Sequence, residues 1–267
     1  MSPEPAPEEP PSSDEDGSRA GLLVTIVSAW GWFSFGLCVA LWCVIVPIVW
    51  LVTAPFDRDH YWPGYVYRRM PSFAVRLNPL WKFRYSGNLP ANPRNPYVVV
   101  SNHESFVDIL LITVLPWEMK WLSKREMFKV PFAGWLMKLS NDIPLDRGDS
   151  GSASRAMKRC RELLGRKMSV MIFPEGTRSS TDEMRDFKDG AFRLAIDAQV
   201  PILPLVVCGT RPALRKHDWR MGRSDAEVHV MEPVTTEGLG SHDVGELRDR
   251  VRSLIEAQRD EMRAAAS

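Results

Sequence analysis

Between Ala20 and Phe56 the chain carries no charged residue. Its core, GLLVTIVSAWGWFSFGLCVALWCVIVPIVWLV, includes four tryptophans. A bilayer hydrocarbon core about 30 Å thick needs roughly 20 apolar residues as helix. The run is longer than that, far longer than a signal-peptide core, and lacks a small-residue cleavage site. Residues 20–56 are therefore expected to form a helical membrane segment. One straight helix of this length exceeds the bilayer thickness. It must tilt, kink at Pro47, or fold back as a re-entrant hairpin near Ser28, Gly31, Ser34 and Gly36. The flank that follows carries Arg58, Arg68, Arg69, Arg76, Lys82 and Arg84 against Asp57 and Asp59, whereas the preceding flank is acidic. The positive-inside rule places everything after the segment, residues 57–267, on the cytoplasmic side.

Residues 1–19 (MSPEPAPEEPPSSDEDGSR) have almost nothing to bury and read as a disordered acidic tail. The whole chain has 34 Lys and Arg and 33 Asp and Glu; the tail takes one base and six acids, leaving 33 against 27. A mildly basic working part suits anionic lipid or an anionic substrate. Cys38, Cys43, Cys160 and Cys208 form no CxxC pair or metal-like spacing, and are expected to be reduced packing residues.

Beyond residue 80, short apolar runs alternate with amphipathic patterns. Strands are expected at 97–101, 120–123, 142–145, 169–173, 202–208 and 226–231. Helices are expected at 105–115, 132–139, 150–165 and 190–199, with a C-terminal one marked by Leu247, Val251, Leu254 and Ile255. Such alternation predicts an α/β fold: a largely parallel sheet flanked by helices, carrying an N-terminal membrane helical segment. In such sheets ligands gather beyond the carboxyl ends of the strands. Two polar clusters lie there, SNHESFVD after the first strand and PEGTRSS after Phe173.

His103 and Asp108 are five apart, about 140° on one helix, and would not meet there. They meet if His103 lies on the strand-to-helix loop and Asp108 in the first helical turn, with Ser105 a candidate N-cap. Asp108 then accepts the Nδ1 proton and leaves Nε2 free to take a proton from an alcohol. This is the base half of a serine-hydrolase triad with the substrate's hydroxyl in place of the serine. The spacing alone is also that of a loop histidine tethered by a capping aspartate. In the second cluster Gly176 allows a tight turn and close backbone approach. Thr177, Ser179 and Ser180 offer donors, and Arg178 offers a planar fork for a phosphate. Glu175 is suited to pairing with an arginine or with a glycerol hydroxyl.

In this order and spacing the motifs resemble the glycerolipid acyltransferase family, which includes the 1-acylglycerol-3-phosphate (lysophosphatidate) acyltransferases. The resemblance covers about residues 80–235. It runs through Asn102-His103-x-x-x-x-Asp108, Lys124–Arg147, Phe173–Ser179 and Val200–Pro204, and FKDGAFRLAIDAQVPILPLVV is similar to the lysophosphatidate branch. It implies His103 as catalytic base, Asp108 as its orienting partner, and Glu175, Gly176, Thr177 and Arg178 as the acceptor site, with Arg147 helping to bind phosphate. It also implies acyl transfer from acyl-CoA or acyl carrier protein to the sn-2 hydroxyl of 1-acylglycerol 3-phosphate, with no metal or tightly held cofactor. Another acceptor (a different lysophospholipid, a lyso-amino-acid lipid or glycerol 3-phosphate) and a catalytically silent lipid binder are the competing readings. The membrane segment and the lack of aromatic-basic interleaving argue against nucleic acid. The basic loop 210–223, with Arg211, Arg215, Lys216, Arg220, Arg223 and Trp219, lies outside the resemblance and suits lipid head groups, the carrier or plain solvent. His60, His217, His229 and His242 read as structural. Oligomeric state stays open.

Overall fold

A computed structural model describes residues 13–92, 94–179, 181–215 and 218–266, with backbone only for 13–20 and 266. Most of the expected acidic tail, together with Ser180, Lys216 and His217, lies outside the described residues.

The apolar run forms one uninterrupted helix, α1 (Ser13–Thr53), which continues through Pro47. Its start at Ser13 lies within the stretch expected to be unstructured. Over Gly21–Thr53 it is long and apolar enough to cross a membrane. Neither the glycines nor the proline breaks it, because neighbouring elements hold it along its length. Met221 N donates to Ser28 Oγ at 2.9 Å. Trp30, Trp32 and Trp42 donate their indole N–H groups to the carbonyls of Leu77, Trp219 and Val66. The hairpin that the sequence suggested inside this segment is instead made between α1 and the next helix, α2 (Tyr61–Arg76). His60 occupies the left-handed region at the joint, with φ 55°, and both carboxylate oxygens of Asp57 accept from the first α2 N–H groups.

The sheet has seven strands: β1 (Trp81–Gly87), β2 (Val98–Ser101), β3 (Met119–Lys124), β4 (Ile143–Leu145), β5 (Ser169–Ile172), β6 (Ile202–Cys208) and β7 (Ser224–Val230). Their order is β1-β7-β6-β2-β5-β3-β4. The five strands from β6 to β4 are parallel, and β7 pairs antiparallel to β6. The expected largely parallel sheet is thus present, with β1 and β7 reversed at one edge.

Successive residues of a strand point to opposite faces, so a strand covered on both sides must be apolar throughout. In β2, Val98 and Val100 enter the core under α5 (Ser150–Gly165), α6 (Gly190–Ala198) and α7 (Val244–Ala266), while Val99 enters the opposite core with Leu111, Trp121 and Leu203. Two short helices, α3 (Asp108–Ile112) and α4 (Ala133–Leu139), lie after β2 and before β4. The four cysteines are free.

A set of buried charges joins α2 to the sheet. Arg68 pairs with Asp142, and fully buried Lys120 donates to Glu118 Oε1 and to the carbonyls of His60 and Ser140. Arg68 Nε and Glu118 Oε2 face each other at 3.9 Å, too long for a hydrogen bond.

Candidate active site

The carboxyl ends of the adjacent central strands β2 and β5 carry the two polar clusters. Asn102 ends β2 by clasping its neighbour: Asn102 Nδ2 donates to Val207 O at 2.7 Å and Val207 N donates to Asn102 Oδ1 at 2.9 Å. This fixes where His103 leaves the sheet.

Asp108 is the first residue of α3, and its Oδ2 lies 2.8 Å from His103 Nδ1. The same oxygen accepts from the backbone N–H groups of Glu104 at 2.7 Å and Ser105 at 2.9 Å. Oδ1 accepts from the Thr210 hydroxyl. A carboxylate without solvent exposure is therefore held by four donors, which keeps the charge in place and points it at the imidazole. His103 bears its proton on Nδ1 in this arrangement, and among the described residues nothing hydrogen-bonds Nε2. The strand-loop-first-turn geometry expected for the pair is the geometry observed. Ser105 differs from expectation: Val107 is the N-cap, and Ser105 Oγ accepts from Val107 N. The helix is also shorter than 105–115, running from Asp108 to Ile112.

The second cluster is built against the first. The Phe173 ring stacks on the His103 ring, centroids 4.0 Å apart and 14° from parallel. Ser179 N donates to His103 O at 2.7 Å. Glu175 is buried, and its two oxygens accept from His103 N at 2.6 Å and Arg185 N at 3.1 Å. Burial pushes its carboxyl up from the usual range, while those two N–H groups pull it down. The structure thus shows Glu175 as a brace between the two loops; among the described residues no hydrogen bond or ion pair joins it to an arginine side chain, and each oxygen keeps a lone pair for a further donor. Gly176 has φ +71°, which favours glycine, and a Cβ there would lie 2.9 Å from Lys188 Nζ, the mobile end of a side chain that can move aside.

Thr177, Arg178 and Arg147 are exposed, and no hydrogen bond or ion pair engages either arginine side chain among the described residues. Arg178 follows β5 and Arg147 follows β4, two strands away and therefore roughly 10 Å across the sheet. Their guanidinium groups are free to reach a shared anion, but the protein itself does not bring them together. Lys188 adds a third cation beside the turn. Sequence reasoning missed three features here: Thr210, the stacking role of Phe173, and Lys188. The signal for Thr210 was its position just beyond the carboxyl end of β6, the strand next to β2. Of the other histidines, His60 Nδ1 meets Leu139 O, His229 Nδ1 meets Ser86 Oγ, and His242 is exposed beside Asp243.

Beside the dyad an apolar cavity of about 340 Å³ opens between α1, α2 and α3. Phe35, Val39, Met70, Ala74, Leu110 and Met137 line it, and Phe106 and Val107 bring it to the His103 loop. Among the described residues no cluster of three or more His, Cys, Asp or Glu side chains converges as a metal site would.

A family model described as Acyltransferase matches residues 82–208, the region that holds both clusters. The chain is 42% identical over 162 residues to 1-acyl-sn-glycerol-3-phosphate acyltransferase alpha of Homo sapiens, a match covering 60% of this chain and 57% of that one. It therefore spans little more than half the length of that relative. It is 33% identical over 237 residues to a 1-acyl-sn-glycerol-3-phosphate acyltransferase of Chlamydomonas reinhardtii, covering 84% of this chain and 68% of the relative. The fold is also that of the 1-acyl-sn-glycerophosphate (LPA) acyltransferase PlsC from Thermotoga maritima, with TM-score 0.70, 24% identity, and coverage of 91% and 98% of the two chains. Carried by its sequence across most of its length, and by the paired motifs at the ends of β2 and β5, this chain belongs to the acyltransferase family.

Proposed function

We propose that the protein transfers a fatty acyl group from an acyl thioester to the sn-2 hydroxyl of 1-acylglycerol 3-phosphate. The observation that carries the reading is the His103–Asp108 pair, with Nε2 unengaged among the described residues, on a loop whose Phe106 and Val107 line an apolar cavity. His103 Nε2 removes the acceptor hydroxyl's proton as the oxygen attacks the thioester carbonyl. The imidazolium is stabilised by Asp108. Collapse of the tetrahedral intermediate breaks the C–S bond, and the departing thiolate takes the proton back from Nε2. No enzyme nucleophile is needed, because a thioester is already activated. Acyl-CoA and acyl carrier protein both supply such a group, and no metal enters a step. The backbone N–H groups of Thr177 and Arg178 have no acceptor among the described residues and suit a developing oxyanion. The cavity suits a hydrocarbon tail, and Arg178, Arg147 and Lys188 suit the phosphate.

The domain sits at a membrane surface, on the side the arginine-rich flank selects, the cytoplasmic one. α1 is tied to the rest of the structure from Ser28 to Trp42. Its outward apolar face, including Leu22, Phe33, Leu41 and Leu51, is left for lipid.

The test is purified protein with labelled acyl-CoA and a panel of lysolipids, products resolved by head group, with Arg178→Lys run alongside. Lysophosphatidate is expected to be the best acceptor. A charge-assisted bidentate contact is worth roughly 1.5–3 kcal/mol. Arg178→Lys keeps the charge but not the fork, so kcat/KM for lysophosphatidate should fall about tenfold, with donor KM unchanged. A neutral-headed lysolipid preferred by the wild type would defeat this assignment.

A further inference from the structure

We propose that Arg263, near the end of α7 and 160 residues from the catalytic histidine, is a positioning residue that clamps the two active-site loops together through Glu104. The proposal rests on reading His103 as the base.

Arg263 Nη2 donates to Glu104 Oε1 at 2.7 Å, and Nη1 donates to the carbonyl of Asp182 at 3.1 Å. Glu104 belongs to the loop between His103 and Asp108. Its own backbone N–H is one of the donors to Asp108 Oδ2. Asp182 belongs to the loop after the Gly176 turn, whose Ser179 N–H holds the His103 carbonyl. The same guanidinium also lies against Cys208, the last residue of β6, two positions before Thr210. A single planar cation thus bonds both the His103–Asp108 loop and the loop after Gly176, beside the end of the strand that leads to Thr210.

The surroundings make Glu104 depend on this contact. Its side chain is only 6% exposed, and burial pushes its carboxyl up from the usual range. Arg263 opposes that push first, with Arg211 and Arg259 also lowering it and Asp108 adding to it. A buried carboxylate beside a second carboxylate needs a cation in hydrogen-bond contact. Without one, Glu104 takes up a proton or turns toward solvent, and either loosens the loop whose backbone N–H holds Asp108. The anchor for Arg263 is firm, because Val244, Leu247, Val251 and Ile255 bind the rest of α7 into the core. The C-terminal helix thereby transmits a fixed position to a loop that has no regular structure of its own.

Full-length protein in detergent is to be tested as Arg263→Gln, Arg263→Lys, Glu104→Gln and the Glu104→Gln/Arg263→Gln double variant, with His103→Ala as reference. Arg263→Gln and Glu104→Gln should each lower kcat about tenfold, with KM for donor and acceptor within about twofold. The double variant should be no worse than the poorer single, since both break one contact. Arg263→Lys, reaching one partner but not both, should recover part of the loss. Additive losses near a hundredfold, a loss confined to KM, or a Lys variant no better than Gln would overturn the clamp. An active His103→Ala would instead overturn the reading of the base, whatever the Arg263 series shows.

Discussion

Asp108 carries more of the site's geometry than its position in a five-residue spacing suggests. One oxygen holds the imidazole and two backbone N–H groups, and the other receives Thr210. Thr210→Val removes that hydroxyl at nearly constant shape, so the carboxylate keeps its charge but loses one of its restraints. A hydrogen bond to a charged group is worth about 1.5–3 kcal/mol. With some of this recovered by relaxation, kcat should fall about tenfold, while Thr210→Ser stays within threefold. Steady-state kinetics decide this, and equal activity in the two variants would leave Thr210 a packing residue. The contact of His103 with Asp108 was legible from sequence because the strand end and the helix start place the two within reach, and the roles of base and orienter came from the resemblance. Thr210 was not, because it reaches Asp108 across 102 positions and belongs to no local pattern. Glu175 has a further duty that its sequence position did not reveal. Its acidity suggested a ligand, and only the packed structure reveals the two N–H groups by which it also braces the loops.

The elements show the same division between local and distant causes. The buried strands β2, β5 and β6, apolar but for Ser101 and Ser169, and α5 with its period-matched apolar face, were readable because each answers to its own pattern. β1 was missed: WKFRYSG is an edge strand paired to β7, with several exposed side chains, so it lacks the apolar signature. α2 was missed because Pro63, Gly64 and Pro71 interrupt its sequence, and its buried face includes Arg68. That arginine gives α2 its own prediction. Asp142→Ala would leave the Arg68 guanidinium buried without its paired carboxylate, and breaking such a pair costs about 3 kcal/mol. Thermal unfolding in detergent should drop by roughly 6–12 °C in Tm. An unchanged Tm would mean that Glu118 takes over as the partner of Arg68.

For the whole molecule, the apolar N-terminus and the α/β domain are one packed unit, not an anchor with a tethered enzyme. α1 and α2 close over one face of the sheet and enclose the cavity beside His103. The cavity lining therefore draws on both the apolar run, through Phe35 and Val39, and the catalytic loop, through Phe106 and Val107. The central chemical claim remains the base at the end of β2. The direct measurement is kcat of His103→Ala against wild type with labelled acyl-CoA and lysophosphatidate, on protein shown to keep its Tm and vesicle binding. General-base catalysis contributes about 10²–10⁴-fold, so a loss in that range is expected, with Asp108→Asn also severely impaired. A loss below tenfold in His103→Ala would remove His103 from the role of base and contradict the mechanism.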